Sequence, residues 1–426
     1  MPKNTSYSLP KDSKAWQQAV DSVASLLPDD INLRDFDALQ SLPVFALIVV
    51  LPVDVAALDI HHYIQSWVDE QPSWHLVTVA EDTEASFVDI LIDDSTDHIT
   101  ITPAYVTTGN QTPNHDNHNT SVPSNTMVKP SFVPVQVFRY LLVPVTDTLM
   151  HPAKKAAAAH IIDDQLTTRL RHDLAQNAQL THDVTDGNHS IVDSANLVDC
   201  HILSIGHMLR THKLACFDMD STLIEQEVIV ELAKTAGVGE QVADITEAAM
   251  RGEIDFDESF AQRVALLQGL STDVLDEICT RLTLSTGART TINALKALGY
   301  HTVLVSGGFS YFANYIAKQL GIDEVYANNL DVDDGEVTGQ IQLPIVNGAK
   351  KAAIVASVAE RLSIDMSQVV CVGDGANDLP MMAISDLGVA YRAKSIVQAR
   401  ADAAVNVTGL EGVLYALGYP ALIPTQ

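Results

Sequence analysis

The stretch KLACFDMDSTLIEQE (213–227) decides the fold of the C-terminal half of this 426-residue chain. Its first five residues form an apolar run that predicts a buried strand, and Asp218 and Asp220 follow directly after it. Residues two apart in an extended segment face the same way, so we expect both carboxyl groups on one side of the chain. Two such carboxylates repel each other unless a cation or a shared proton offsets the repulsion. The stretch therefore predicts a strand that ends in a charged site.

Three further apolar runs continue this pattern, namely HTVLVS (301–306), VVCVG (369–373) and LGVAY (387–391). Helical segments separate them, which predicts an α/β fold with a doubly wound, mostly parallel sheet of the Rossmann type. The long segment between the first two strands is helical by pattern. It predicts a cap, at about residues 225–290, over the carboxyl ends of the strands, where ligands bind in open α/β sheets.

Calcium binding is the main alternative for the acidic stretches. An EF-hand loop beginning at Asp218 would need Gly at its sixth position and Glu at its twelfth, and Leu223 and Ile229 occupy those places. The acidic segment DVDDGEVTG (331–339) is better explained as a hairpin turn around Asp334 and Gly335. We therefore do not expect calcium at either position.

Two more motifs follow predicted strands. The glycines of VSGGF (305–309) allow backbone N–H groups to approach an anion closely, and a helix N-terminus comes next. In VCVGDGANDLPM (370–381), Asp374 and Asp378 supply hard oxygen ligands of the kind that magnesium prefers. A pair of lysines, Lys350 and Lys351, precedes this motif in GAKKAAIV.

Together these motifs have the order DxDxT, Ser, Lys and GDxxxD, and residues 213–426 resemble the haloacid dehalogenase-like (HAD-like) hydrolases. More narrowly, DMDSTLIEQE, MRGEIDFDESFAQRV, VSGGF and GDGANDLPM are similar to the branch that hydrolyses O-phospho-L-serine to L-serine and phosphate, the final step of serine biosynthesis. The resemblance implies a Mg²⁺-dependent phosphomonoester hydrolase.

The resemblance also implies a role for each matched residue. Asp218 would be the nucleophile that forms an aspartyl-phosphate, and Asp220 the general acid and then base. Mg²⁺ would be held by the side chains of Asp218 and Asp374 and the backbone carbonyl of Asp220, with Asp378 supporting. Lys351 would stabilise developing charge, although the neighbouring Lys350 leaves a second assignment open.

Substrate recognition is implied at both ends of the phosphoserine molecule. A guanidinium fork suits the carboxylate, because it can bond both oxygens at once. For the charged cap residues, an ordinary helix-surface charge is the alternative interpretation. The residues implied are Ser306, Gly307, Asn377 and Lys351 at the phosphoryl group, Glu227 at the ammonium, Arg263 at the carboxylate, and Met250 and Phe256 in the apolar pocket.

The N-terminal half carries no motif for chemistry. Residues 1–106 predict an α/β region, with strands at 44–53 and 86–92 and helices at 13–27 and 55–69. Residues 107–131 are polar and predict a linker or disordered loop, in which His115 and His118 lack ligand partners at a convincing spacing. Residues 132–208 predict a second small α/β region of ACT-like type, with a strand at 135–145 and a helix at 153–175. The strands and helices of the N-terminal half together permit the βαββαβ pattern of an ACT domain, and the polar segment 107–131 interrupts a simple match. Residues 209–426 form the predicted catalytic domain.

The charge composition argues against two classes of binding partner. The chain has 54 acidic and 25 basic residues and a net charge of −29, which argues against nucleic acid and anionic membranes. The four cysteines are widely spaced, and no apolar h-region occurs at the N-terminus, so we expect a reduced cytoplasmic protein with buried thiols at Cys216 and Cys371. A homodimer is compatible with the sequence, which leaves the oligomeric state open.

Two other functions are compatible with these motifs. A phosphotransferase of the same fold would move the phosphoryl group to another alcohol, such as homoserine, instead of water. A ligand-sensing protein would use the N-terminal half as its sensor. Because no catalytic group is missing from the motifs, such a sensor would be attached to an active enzyme.

Overall fold

The computed structural model describes residues 19, 44–52, 59–70, 74–79, 88–93, 98–103, 135–144, 159–182 and 198–419. The predicted linker at 107–131 lies outside the described residues. So does the predicted helix at 13–27, apart from Ala19, which is helical.

The N-terminal half forms an antiparallel sheet with helices. Its described elements are β1 (Phe45–Pro52), α1 (Ile60–Asp69), β2 (Trp74–Thr78), β3 (Val88–Asp93), β4 (His98–Pro103), β5 (Val135–Pro144), a π-helix (Ile162–Thr167) that continues into α2 (Thr168–His182), and β6 (Asp199–Ser204). The helix N-cap Asp59 accepts a hydrogen bond from the His62 N–H and so begins α1.

One sheet unites the two α/β regions predicted on either side of residues 107–131. Its order is β2-β5-β1-β6, and every neighbouring pair is antiparallel. Alternate residues of β1, such as Phe45 and Leu47, pack against Ile64 of α1 and Leu166 of the π-helix. The order is that of a ferredoxin-like βαββαβ unit, with the hairpin β3–β4 inserted between its second and third strands. The division at residues 106 and 132 therefore does not follow the sheet.

The C-terminal half alternates strands and helices, as the sequence predicts. Its described elements are α3 (Ile205–Leu209), β7 (Leu214–Phe217), α4 (Val228–Ala236), α5 (Gly239–Met250), α6 (Phe256–Ala265), α7 (Asp273–Arg281), α8 (Ala288–Ala297), β8 (His301–Phe309), α9 (Ser310–Leu320), β9 (Glu324–Asn328), β10 (Leu330–Asp333), β11 (Glu336–Ile341), α10 (Gly348–Leu362), a 3₁₀ helix (Met366–Gln368), β12 (Val369–Gly373), α11 (Leu379–Ile384), β13 (Leu387–Tyr391), α12 (Ser395–Gln398), β14 (Ala403–Val405) and α13 (Gly412–Ala416).

A parallel sheet of six strands, in the order β14-β13-β12-β7-β8-β9, forms the centre of this half. Alternate residues of β7 enter different cores: Leu214 and Cys216 pack on one face, and Ala215 and Phe217 on the other. Both faces are therefore covered, which explains why the strand sequences are apolar throughout. The chain runs from β7 to β8 and β9 on one side of the sheet, and from β12 to β13 and β14 on the other. The topological switch point therefore lies between β7 and β12.

The cap consists of α4 to α7, inserted between β7 and β8 as predicted. Its two ends meet at an isolated bridge between Ile224 and Leu284, and the Glu225 N–H donates to the Thr283 carbonyl at 2.9 Å. The hairpin β10–β11 packs against the end of α6, where the Gly269 N–H donates to the Val337 carbonyl at 2.8 Å. The cap is therefore supported at its base and by a second element of the catalytic domain.

The hairpin turn is the predicted one. Asp334 and Gly335 have φ values of 47° and 78°, which is the left-handed geometry of a type I′ turn. Cys216 and Cys371 are buried free thiols, also as predicted. None of the helices in the described ranges combines the length and apolar character needed to cross a membrane.

Candidate active site

Three carboxylates meet at the switch point of the parallel sheet. Asp218 follows β7, and Asp374 and Asp378 follow β12, its parallel neighbour. Their ligand oxygens lie within 4.8 Å of one another. Ligands of open α/β sheets bind in the crevice outside the carboxyl ends of the strands at such a point. The structure thus brings together the carboxylates that the sequence assigned to nucleophile and metal.

Lys351 is the counter-charge of this cluster. Asn347 caps α10 by accepting a hydrogen bond from the Lys350 N–H, which places Lys351 in the first turn of the helix. The Lys351 Nζ lies 2.8 Å from Asp218 Oδ1 and 2.7 Å from Asp378 Oδ1, and its side chain is fully buried. Burial opposes its charge, but the two carboxylates outweigh burial and raise the pKa of Lys351. Lys350 is only partly buried.

The cluster fits a divalent cation. Burial, followed by the charges of Asp218 and Asp378, raises the pKa of Asp374 to about 8, which reflects repulsion that a cation would relieve. The donors are carboxylate oxygens, which suit hard divalent ions. Thr222 Oγ1 donates to Asp374 Oδ1 at 3.0 Å and fixes its orientation, as hydrogen bonds to metal ligands commonly do.

Asp220 lies beside this cluster, against the two glycines near the end of β8. A Cβ atom at Gly308 would lie 3.1 Å from Asp220 Oδ2, so a side chain there would displace the carboxyl group. Burial raises the pKa of Asp220 well above its ordinary value, and the charges of Glu227 and Asp218 raise it further. A carboxyl group in this environment favours its protonated form, which is the form a general acid needs.

The last residues of β8 present the predicted phosphate-binding groups. Ser306 Oγ accepts a hydrogen bond from the Gly308 N–H at 2.9 Å, and the Gly307 carbonyl accepts one from Asn328 Nδ2 at 2.8 Å. Asn377 reaches the same place, since a Cβ atom at Gly307 would lie 3.9 Å from its Nδ2. The groups predicted to bind the phosphoryl oxygens therefore lie side by side.

The cap contributes opposite charges to the same cleft. Ser221 Oγ donates to Glu227 Oε1 at 2.8 Å, and Arg263 Nε donates to the Ser259 carbonyl one turn before it at 3.2 Å. Desolvation lowers the pKa of Arg263, whereas the charges of Glu227 and Asp220 raise it. The guanidinium thus lies within electrostatic reach of both carboxyl groups.

An aromatic side chain closes the cleft from the cap. Phe256, the first residue of α6, stacks on Phe260 with parallel rings 6.2 Å apart. A Cβ atom at Gly307 would lie 3.2 Å from Phe256 Cζ, so the ring covers the phosphate-binding end of β8. The side chain of Met250, also predicted for this pocket, lies outside the described residues.

Known proteins similar to this chain identify its family. The family model for haloacid dehalogenase-like hydrolases matches residues 215–383. A probable phosphoserine phosphatase of Schizosaccharomyces pombe is 47% identical over 229 residues, which cover 53% of this chain and 77% of that protein. The phosphoserine phosphatase of a Polaromonas species is 46% identical over 212 residues, covering 48% and 90%. The chain belongs to the phosphoserine phosphatase family of haloacid dehalogenase-like hydrolases.

Members of this family are phosphomonoester hydrolases, and haloacid dehalogenase-like phosphatases generally use a divalent metal. The match does not extend over the full length of every relative: the phosphoserine phosphatase of Archaeoglobus fulgidus is 44% identical over 212 residues, which are 50% of this chain and 62% of that protein. A HAD family hydrolase of Salmonella enterica serovar Typhi shares the fold, with a TM-score of 0.56 and 24% identity over 87% of this chain and 98% of that structure.

Sequence reasoning missed two groups that shape the site. Asn328 ends β9, a strand that was not predicted, and its Oδ1 also accepts a hydrogen bond from the Val346 N–H at 2.7 Å. Asn347 Nδ2 donates to both carboxylate oxygens of Asp257 on α6, at 3.0 and 3.1 Å, and so joins the cap to the catalytic domain. A signal for Asn347 existed in the sequence, because Asn before a helical run is a common N-cap.

Proposed function

We propose that this chain hydrolyses O-phospho-L-serine to L-serine and phosphate with Mg²⁺ as its divalent metal. The observation that supports this most strongly is the ion pair of Lys351 with Asp218, within the carboxylate cluster. The cap lies over this cluster and holds Arg263 and Glu227 near Asp220. The curated relatives named above are phosphatases, which favours water over another alcohol as the phosphoryl acceptor.

In the first step, an Asp218 carboxylate oxygen attacks phosphorus. The new Asp218–phosphorus bond forms as the bond from phosphorus to the serine oxygen breaks, and Asp220 gives its proton to that oxygen. Lys351 and the Met219 N–H, which donates to Asp218 Oδ1 at 2.7 Å, hold the nucleophile in place. Mg²⁺ held by Asp218 and Asp374 would neutralise charge on the phosphate.

In the second step, Asp220 takes a proton from water, which attacks phosphorus and releases phosphate from Asp218. The same carboxyl group thus returns to its protonated state. Ser306 and the backbone around Gly307 would hold the phosphoryl oxygens throughout. The Phe256 ring over Gly307 would limit the access of bulk water to the cleft.

The amino-acid end of the substrate provides the test of specificity. Arg263 is proposed to bind the substrate carboxylate and Glu227 the ammonium. Arg263→Ala and Glu227→Gln should then each lower kcat/KM for phosphoserine by the equivalent of about 2–4 kcal/mol, because a desolvated charge loses its partner. An ester without these groups, p-nitrophenyl phosphate, should lose little. The measurement is the ratio of kcat/KM for the two substrates, with Mg²⁺ and with chelator.

Arg251→Ala is the matched control, because Arg251 is an exposed cap arginine that pairs with Glu247 and Glu253. We expect this variant to keep the wild-type ratio. Equal losses for both substrates in Arg263→Ala would contradict the substrate assignment, and full activity in excess chelator would contradict the metal. The cytoplasmic location, the homodimer and an ACT-like sensing role for the N-terminal sheet stay predictions.

A further inference from the structure

A second cluster of metal-ligating side chains lies apart from the phosphate site. His207 lies in α3, His212 lies two residues before β7, and Asp386 immediately precedes β13. His207 Nδ1 is 3.0 Å and His212 Nε2 is 2.7 Å from the same oxygen, Asp386 Oδ2. The two imidazole rings are 5.1 Å apart. Two nitrogens and a carboxylate thus converge on one point.

This cluster lies at the amino ends of the parallel strands, whereas the catalytic carboxylates lie at their carboxyl ends. His212 and Asp386 stand at the amino ends of β7 and β13, whereas Asp218 and Asp374 follow the carboxyl ends of β7 and β12. The length of the strands therefore separates the two groups. The proposed reaction uses none of the residues in the second cluster.

The ligand set differs in chemistry from the catalytic one. Imidazole nitrogen with carboxylate oxygen is typical of zinc and similar transition metals, whereas magnesium prefers oxygen alone. Ligand atoms around a tetrahedral zinc ion are about 3.3 Å apart, given bonds of about 2.0–2.1 Å. The candidate atoms of the three residues already lie within 4.8 Å of one another, so small side-chain shifts would admit an ion.

Hydrogen bonding alone does not account for the whole cluster. His207 Nε2 is buried and has no hydrogen-bond partner among the described residues. An unpaired buried nitrogen is costly, and this one belongs to a ring whose Nδ1 already faces Asp386 Oδ2. A cavity of about 390 Å³ adjoins the cluster, lined by His207, Asp386, Asp402 and Ser204 among others. It offers room for a water ligand.

The surroundings of the cluster are negatively charged when both imidazoles are neutral. Asp386 and Asp402 contribute two carboxylates around His207, and Arg210 lies 3.5 Å from Asp386 Oδ1 as the opposing cation. With neutral imidazoles, one negative charge remains uncompensated within this set. A dication would bring the set to one positive charge, and one protonated imidazole would bring it to zero, so the ligand geometry and not the charge carries the assignment.

We propose that His207, His212 and Asp386 bind a divalent transition-metal ion of the zinc class, with water from the adjoining cavity completing its coordination. The ion would be structural. It would join α3, which directly follows the last strand of the N-terminal half, to the start of two strands of the catalytic sheet.

The test uses the full chain, freed of metal with a chelator, dialysed and kept in saturating Mg²⁺ so that the oxygen site is occupied. Titration with Co²⁺ should give one tightly bound ion per chain with the visible spectrum of a four-coordinate nitrogen and oxygen site, and Zn²⁺ should displace it and raise Tm. His212→Gln and Asp386→Asn should each weaken binding at least about 10-fold.

His301→Gln is the matched control, because His301 also pairs with a carboxylate, Glu324 Oε1 at 2.7 Å, but lies outside the cluster. It should leave Co²⁺ binding unchanged. Absence of stoichiometric Co²⁺ binding in the wild type would overturn the proposal. So would binding that persists in His212→Gln and disappears when His115 and His118 are both replaced by Gln.

His207→Cys distinguishes metal coordination by residue 207 from a role of this residue in packing alone. A thiolate ligand should add a sulfur-to-cobalt charge-transfer band, and a folded variant that binds Co²⁺ without this band would refute the ligand assignment. If substitutions prevent folding, X-ray absorption of the Co²⁺-loaded wild type decides, since the proposal requires two imidazole ligands and fewer would contradict it.

Discussion

Replacing Lys351 by Met tests the electrostatic description of the site most directly. The ammonium is fully buried and lies within 2.8 Å of Asp218 and 2.7 Å of Asp378. Removing one partner of a buried ion pair costs about 3–5 kcal/mol, because the remaining charge is left uncompensated. Methionine keeps most of the side-chain volume. At about pH 8 and without divalent metal, we therefore expect the free energy of unfolding to fall by about 3–5 kcal/mol.

Two conditions should reduce this loss. Protonation of a carboxylate in the cluster removes its repulsion with the other carboxylates. Burial and the neighbouring charges already raise the pKa of Asp374 to about 8. A carboxyl group whose pKa is raised in the folded state favours folding below its ordinary pKa, and this contribution is lost as the pH rises through about 8. The loss in Lys351→Met should therefore shrink as the pH falls, and Mg²⁺ should also reduce it.

Urea unfolding at several pH values, with Mg²⁺ and with chelator, measures these effects. Lys350→Met is the matched control, since Lys350 is the adjacent and less buried lysine, and its stability should change by less than about 0.5 kcal/mol. Turnover should fall on the order of 10²-fold in Lys351→Met only. Equal stability losses in the two variants, or a loss under about 1 kcal/mol in Lys351→Met, would refute the reasoning.

Three further predictions concern the nucleophile, the cap and the sheet edge. Asp218→Asn should reduce phosphate release by about 10³-fold or more in a protein that still folds, and substantial turnover after deamidation has been excluded would contradict the assignment. Asp257→Ala removes the acceptor for Asn347 and should lower kcat/KM for phosphoserine about 5-fold; an unchanged value would show that this contact does not hold the cap. The Arg361 hydrogen bond, with those of Tyr326 and His301, lowers the pKa of Glu324 to about 2. Glu324→Gln should therefore lower the free energy of unfolding by up to about 1 kcal/mol at neutral pH, and this difference should vanish as the pH falls through about 2. Urea titrations at several pH values measure it, and a difference that persists in acid would exclude the charge as its cause.

The sequence predicted the strands that precede catalytic motifs better than the strands at the sheet edges. β7, β8, β12 and β13 are apolar because helices cover both faces, and that composition identifies them. β9 reads EVYAN and β14 reads AAV, which are too short or too polar to be distinguished from loops. Their strand character comes from pairing with β8 and β13, which local composition does not encode.

Long-range pairing explains what else could not be predicted. β1 pairs with β5 across the insertion that separates them, so the N-terminal half looks like two regions in sequence and forms one sheet. The carboxylate cluster was predictable because Asp218 and Asp374 each follow a buried strand. The approach of His212 to Asp386, 174 residues away, was not, since a histidine alone gives no indication of its partner.

The bridge between Ile224 and Leu284 has a consequence for how this enzyme family can change. The chain leaves the catalytic domain and returns to it at neighbouring points, so the segment between them is closed at its base. Its length and sequence can vary without moving the strands that carry Asp218 and Ser306. Substrate range can therefore evolve, or be engineered by exchanging residues 225–283, while Asp218 and Ser306 keep their positions.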